Sequence, residues 1–316
     1  MPVNVELTER DKKLLEMLSE LSMIKVENLS YIYETKAYYL KRIALLRKAH
    51  YVRRLKGYVM LGSKGIEYVR SIGLKRKGIP TAHGQKERVQ RISDLYFDFL
   101  RTDWRFVDSR KIKEQKPSIY RSSIFLGFLI GRTEYAVYSI GKEPSREKID
   151  AVKSEQEKLH KLGIYRSIVF YESPEARKRY GVEGLGLKEQ LLLPYPYGVE
   201  LLKEHGKRDL IKEAAIKVYV SNLKEPNWKE ADFSVGDKEV VVLILNDIEK
   251  IAKIRNYLIL AQYRYTKTTE IEILCLEEQE EMFKEMFPEC SIKSLKAEEV
   301  LYCRQIFRKF IQYRKK

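Results

Sequence analysis

The residues of this 316-residue chain best suited to chemistry are carboxylates close to a lysine. Asp232, in PNWKEAD, precedes the apolar run VVVLIL, and Asp247, Glu249 and Lys250 follow it. An aspartate at one strand and an acid-x-Lys on the next would hold a divalent metal and activate water against a phosphodiester. The spacing departs from that pattern, because Asp247 lies beyond the strand and Glu249 and Lys250 are adjacent. An earlier stretch of the same layout, Pro117-Ser118 followed by AVYS, has no acid-x-Lys. His160 and His205 lack partners at ligand spacing, and Cys275, Cys290 and Cys303 form no CxxC or Cys/His pattern. GxxxxGK[ST], GxGxxG and HExxH do not occur. These residues imply no catalytic, cofactor or metal site, with a metal-dependent nuclease as the minor alternative.

Phosphate-binding chemistry is better supplied. Residues 35–57, TKAYYLKRIALLRKAHYVRRLKG, hold eight lysines and arginines and no aspartate or glutamate. The whole chain carries a formal charge of +16 with a pI near 9.4, which points to a polyanionic partner, double-stranded DNA foremost. Residues 1–80 contain 17 Lys/Arg against 8 Asp/Glu and so carry +9 of that charge. A charge run is commonly a solvated helix face. Here the absence of acids and the presence of amphipathic tyrosines favour a binding surface. The expected contacts are Lys36, Tyr38, Lys41, Arg42 and Lys48 on a helix and Arg53, Arg54 and Lys56 on a hairpin. Leu45 shares the outward face; it contacts either a thymine methyl or another protein surface.

The elements that must position these groups follow from local signals. Thr8 followed by Asp11 resembles a capping box ahead of a helix with Leu14, Leu15, Leu18 and Leu21 on one face. Val26, Leu29 and Ile32 mark a second short helix. Thr35 caps a third, over about 36–49, with Tyr39, Ile43, Leu46 and His50 turned inward. Lys56-Gly57 turns a hairpin, and Ser63 caps a helix closed by Gly73. That order over residues 1–74 is that of a winged helix-turn-helix, in which the third helix enters the major groove and the hairpin grips backbone or minor groove.

Residues 75–86, with Gly78 and Pro80, read as a linker to an α/β body. Its first unit, 87–195, opens with a helix at about 86–101. Strands follow at 104–107, 122–130 and 134–140, then a helix from Pro144 to about His160 and a strand at 164–171. This α-β-β-β-α-β order is that of a restriction-endonuclease-like core, degenerate here for want of a metal site. A stretch rich in Gly and Pro leads to the second unit, 196–316. It has helices at about 198–218, strands at DFSV, EVVVLIL and EIEILCL, and a helix at about 247–263 between the last two. Its layout of proline, hairpin and helix resembles the first unit and suggests an internal duplication. Helices at 277–287 and 297–314 complete the α/β (α+β) chain. The last, ending RQIFRKFIQYRKK, is amphipathic, with Ile306, Phe307, Phe310 and Ile311 on its apolar side. It either docks on the body or provides a further phosphate, membrane-surface or partner contact.

LTERDKKLLEMLSELSMIKVENLSYIY, KRIALLRKAHYVRRL and YVMLGSKGIEYV together resemble the N-terminal winged helix of the replication-relaxation family, found on plasmids and integrative conjugative elements of Gram-positive bacteria. His50 stands where that family usually has Gly, and LGSKG where it has a TPxG turn. The resemblance covers about 65 residues and is faint beyond them. It implies a sequence-specific, non-catalytic DNA-binding protein accessory to plasmid replication or conjugative relaxosome processing. A homodimer with a relaxase or replication protein as partner is the expected assembly. The alternative is a winged-helix transcriptional regulator whose C-terminal half senses an effector or partner. The N-terminus lacks the apolar core of a signal peptide, no apolar run reaches the roughly 20 residues that span a bilayer, and the cysteine usage suits the cytoplasm.

Overall fold

The computed structural model describes residues 5–75, 77–78, 83–116, 118–119, 122–220, 222–264 and 269–301. Residues 302–314 of the helix expected over 297–314, Pro80 of the linker and Pro117 lie outside them. The chain is of mixed α/β type and divides into two compact units, Met1–Leu100 and Arg101–Lys316.

In the first unit, α1 (Glu9–Leu21) starts at the expected capping box: the Thr8 side chain accepts from Asp11 N, and Asp11 accepts from Thr8 N at 2.8 Å. A two-residue strand, β1 (Ile24–Lys25), follows; no local signal marks it, since it exists by pairing with a distant strand. Residues Glu27–Tyr31 form a 3-10 turn where a short helix was expected. Then come α2 (Lys36–Lys48), β2 (Val52–Leu55), β3 (Tyr58–Leu61) and α3 (Ser63–Ser71). The strands form an antiparallel sheet in the order β1-β3-β2, with Ile24 opposite Val59 and Val52 opposite Leu61. Gly62, not Ser63, is the N-cap of α3, and it makes no side-chain capping bond. Leu14, Leu18, Tyr39, Ile43, Leu46, Val59 and Val69 share the core.

The helix expected to open the body is α4 (His83–Asp98), and it packs with the head. Phe97 joins the head core with its ring centre 5.6 Å from that of Tyr31 in a tilted pairing, while Val89 meets Met23 and Met60. Buried Asp94 takes Lys25 at 3.4 Å and the Tyr58 hydroxyl at 3.2 Å, tying α4 to β1 and β3. Burial raises its pKa against the opposing pull of Lys25 and Arg91.

The second unit holds two mixed sheets. The first runs β4 (Arg105–Asp108), β5 (Gly127–Ile130), β6 (Glu134–Gly141), β7 (Arg166–Tyr171), β8 (Glu189–Pro194). Its first three strands are antiparallel, and β6, β7 and β8 are parallel. The connections are α5 (Ser109–Gln115) between β4 and β5, α6 (Arg146–Lys161), and α7 (Pro174–Tyr180). After α8 (Tyr197–Lys207) and α9 (Leu210–Tyr219) comes the second sheet: β9 (Phe233–Val235), β10 (Lys238–Val242), β11 (Glu270–Leu276) and β12 (Ser291–Leu295), with α10 (Ile248–Arg264) and α11 (Glu277–Met286) as crossovers and α12 (Ala297–Val300) last. Here β9 and β10 are antiparallel, and β10, β11 and β12 parallel. Thus β5-β6-α6-β7-α7-β8 and β9-β10-α10-β11-α11-β12 share one connectivity. The two expected segments, 87–195 and 196–316, do not keep separate cores: Phe128, Val169 and Leu192 belong to the same apolar cluster as Val241, Ile251 and Ile273.

The strand expected over 122–130 begins only at Gly127, because Ile124 and Phe125 donate their N–H groups to the Glu155 carboxylate, at 2.7 and 2.9 Å, rather than to a ladder. Strand β8 arises inside the stretch rich in Gly and Pro that was expected to lead without a strand to residues 196–316.

Candidate nucleic-acid interface

Thr35 starts α2 by accepting from Tyr38 N at 3.3 Å. Successive helical residues are rotated by about 100°, so Tyr39, Ile43 and Leu46 bury one side. Ala37, Lys41, Ala44 and Lys48 form the opposite stripe, all exposed. Lys36 and Arg47 flank it on one side and Tyr38 on the other, also exposed. Arg47 is an additional cation that sequence reasoning left out, although its spacing places it on the same side of the helix as Lys36, about three turns further on. Ala49, and not His50, fills the inward position after Leu46; His50 is exposed, with φ of 63° in the left-handed region that favours glycine.

Arg42 departs from the expected contact surface. Its Nε donates to both Asp11 carboxylate oxygens at 3.0 and 2.9 Å, and its Nη2 reaches the Glu6 carbonyl. Asp11 is fully buried and also accepts from the Tyr33 hydroxyl at 2.8 Å. Burial by itself would push the Asp11 pKa up, but Arg42, Thr8 and Tyr33 outweigh it and hold the carboxyl below its ordinary value. Burial and the same carboxylate push the Tyr33 pKa up. Arg42 therefore fastens α2 to α1 instead of facing outward.

The hairpin turns at Lys56 and Gly57, with φ of 44° and 82°, the pair of positive angles that a two-residue type I′ turn requires. Arg53 and Arg54 are both exposed, and because successive strand residues point to opposite faces they address opposite sides of the hairpin. Lys56 is exposed at its tip. Among the described residues none of Lys36, Lys41, Arg47, Lys48, Arg53, Arg54 and Lys56 forms an ion pair, whereas Lys153, Lys238, Lys250 and Arg208 of the second unit are each paired with acids.

Asp232, Asp247 and Glu249 of the second unit are each held by hydrogen bonds. Asp232 accepts from Val242 N at 2.8 Å and from Lys250 Nζ at 2.7 Å. Asp247 accepts from Gln190 N and Glu249 N, both at 3.0 Å, and Glu249 from Leu185 N at 2.7 Å and Leu187 N at 3.0 Å. Each carboxylate holds backbone or a lysine. Among the described residues no three His, Cys, Asp or Glu side chains are grouped as a metal would need, and no helix is long and apolar enough to cross a membrane.

Comparison of the chain with protein families, curated proteins and solved structures finds no match.

Proposed function

We propose that the first unit is a winged helix-turn-helix that binds double-stranded DNA, with α2 in the major groove and the β2–β3 hairpin as its wing. The protein acts without catalysis, as a sequence-specific accessory to replication or relaxosome processing on a mobile genetic element. Its second unit, whose β5-β6-α6-β7 order suits a degenerate restriction-endonuclease-like core although α5 separates β4 from β5, dimerises or recruits a relaxase or replication protein. The observation that carries the DNA-binding reading is the set of exposed, unpaired cations on α2 and the hairpin with no acid among them. Cations left without internal partners keep their full field for a polyanion.

Replacing Arg53 and Lys56 of the hairpin together by alanine is expected to weaken duplex binding at least about tenfold at moderate salt and to lower the salt slope by about two. Fluorescence anisotropy over a salt series measures both, and unchanged affinity would sink the assignment. Footprints at an origin of replication or transfer support the mobile-element role; footprints beside promoters replace it with transcriptional regulation.

A further inference from the structure

The outward face of α2 is unusual in what it lacks. Between Lys36 and Lys48 there is no Asn, Gln, Asp, Glu, Ser or Thr, and Arg42 is already bound to Asp11. The central stripe alternates alanine and lysine: Ala37, Lys41, Ala44, Lys48. On either side of it stand Leu40 and Leu45, 39% and 41% exposed, one turning toward Lys36 and the other toward Tyr38. Lysine is a donor only. Apart from the Tyr38 hydroxyl, nothing on this face can accept a hydrogen bond.

That inventory can be set against the base edges of the major groove. Guanine offers two acceptors, O6 and N7, where adenine offers N7 alone beside its N6 donor; thymine offers one acceptor and a methyl group; adenine N6 and cytosine N4 are donors that need a side-chain acceptor. We infer that α2 reads guanine and thymine, with Lys41 and Lys48 donating to guanine O6 and N7 and Leu40, Leu45, Ala37 and Ala44 packing on thymine methyls. The small alanines let the helix approach closely enough for the lysines to reach base edges. The two leucines, costly in water, gain by being covered. The inference rests on the duplex-binding reading above and adds the chemical class of the recognised bases. It also gives Leu45 a role at the interface with DNA.

The test uses the full chain and a pool of duplexes with a randomised core, from which bound sequences are selected. A selected duplex is then resynthesised with deoxyuridine for thymidine, which removes only the methyl, or 7-deazaguanine for guanine, which removes N7. Wild type is expected to lose about fourfold in affinity for each contacted methyl removed and about fivefold or more at a contacted guanine. The double variant Leu40→Ala, Leu45→Ala should bind thymidine and deoxyuridine duplexes with a smaller difference than wild type. Selective binding that is indifferent to both analogues overturns this inference and leaves duplex binding intact. A variant that loses self-association while retaining the full thymine preference also overturns it, by making the leucines a protein contact. Failure of wild type to bind any duplex overturns both readings.

Discussion

Arg42 and Asp11 carry more of the head's architecture than their place in the sequence suggests. Asp11 has no exposed surface, and Arg42, Tyr33 and Thr8 surround it. Arg42→Ala leaves that carboxylate buried beside only neutral donors, so urea unfolding should show a loss of about 3 kcal/mol, the lower part of the range for breaking a buried pair, since the guanidinium keeps some contact with water. DNA affinity should fall with stability, but the salt slope should stay that of wild type, because no phosphate contact has gone; a slope reduced by about one would return Arg42 to the contact surface. The Asp11 pKa is lower in the folded chain than its ordinary 3.8. Its contribution to stability is therefore complete above that value and is lost as pH falls through the lower folded one.

At the scale of elements, α2, the hairpin and α3 are held by close backbone approach as well as by side chains. A Cβ at Gly65, near the start of α3, would overlap the carbonyl oxygen of Tyr51, and one at Gly62 would overlap that of His50. Backbone cannot rotate away as a side chain can. Gly65→Ala is thus expected to cost about 1–3 kcal/mol, read as a lower thermal midpoint, with duplex affinity falling as the hairpin shifts; an unchanged midpoint would mean that α3 is not locked against this carbonyl.

Across the second unit, the segment between β10 and α10 joins its two sheets. Asn246, with φ of 49°, donates its Nδ2 to the Leu192 carbonyl at 2.8 Å, and Leu191 and Asp247 form an antiparallel bridge. Burial, and then the charge of Glu189, push the Asp247 pKa up to about 7, against the pull of the Gln190 and Glu249 amides and Lys250. A carboxyl that keeps its proton in the folded state up to about 7, and in the unfolded state only to about 3.8, takes up a proton on folding in that window. Stability therefore falls as pH rises from about 4 to about 7, and the whole penalty is present above that. Asp247→Asn, which keeps an oxygen for the two amides, should raise the thermal midpoint near pH 8 and flatten its dependence on pH below 7. A variant with the wild-type pH profile would assign the titration to another group.

What could be read locally was legible in the sequence. The Thr8–Asp11 and Thr35 caps, the Lys56-Gly57 turn and the helix-hairpin-helix order depend on neighbouring residues and emerge where expected. Seven of the eight expected interface residues, Lys36, Tyr38, Lys41, Lys48, Arg53, Arg54 and Lys56, are exposed, since helical and strand periodicity fix which side faces the core. Only the tertiary structure decided that Arg42 turns inward, because its partner Asp11 is 31 positions away. The same holds for α4, whose apolar face could have met either unit, and for β1, β8 and β12, short segments made into strands by pairing rather than by pattern. Local sequence determines caps, turns and faces; which distant residue satisfies a buried charge or an unpaired backbone is settled when the chain closes on itself.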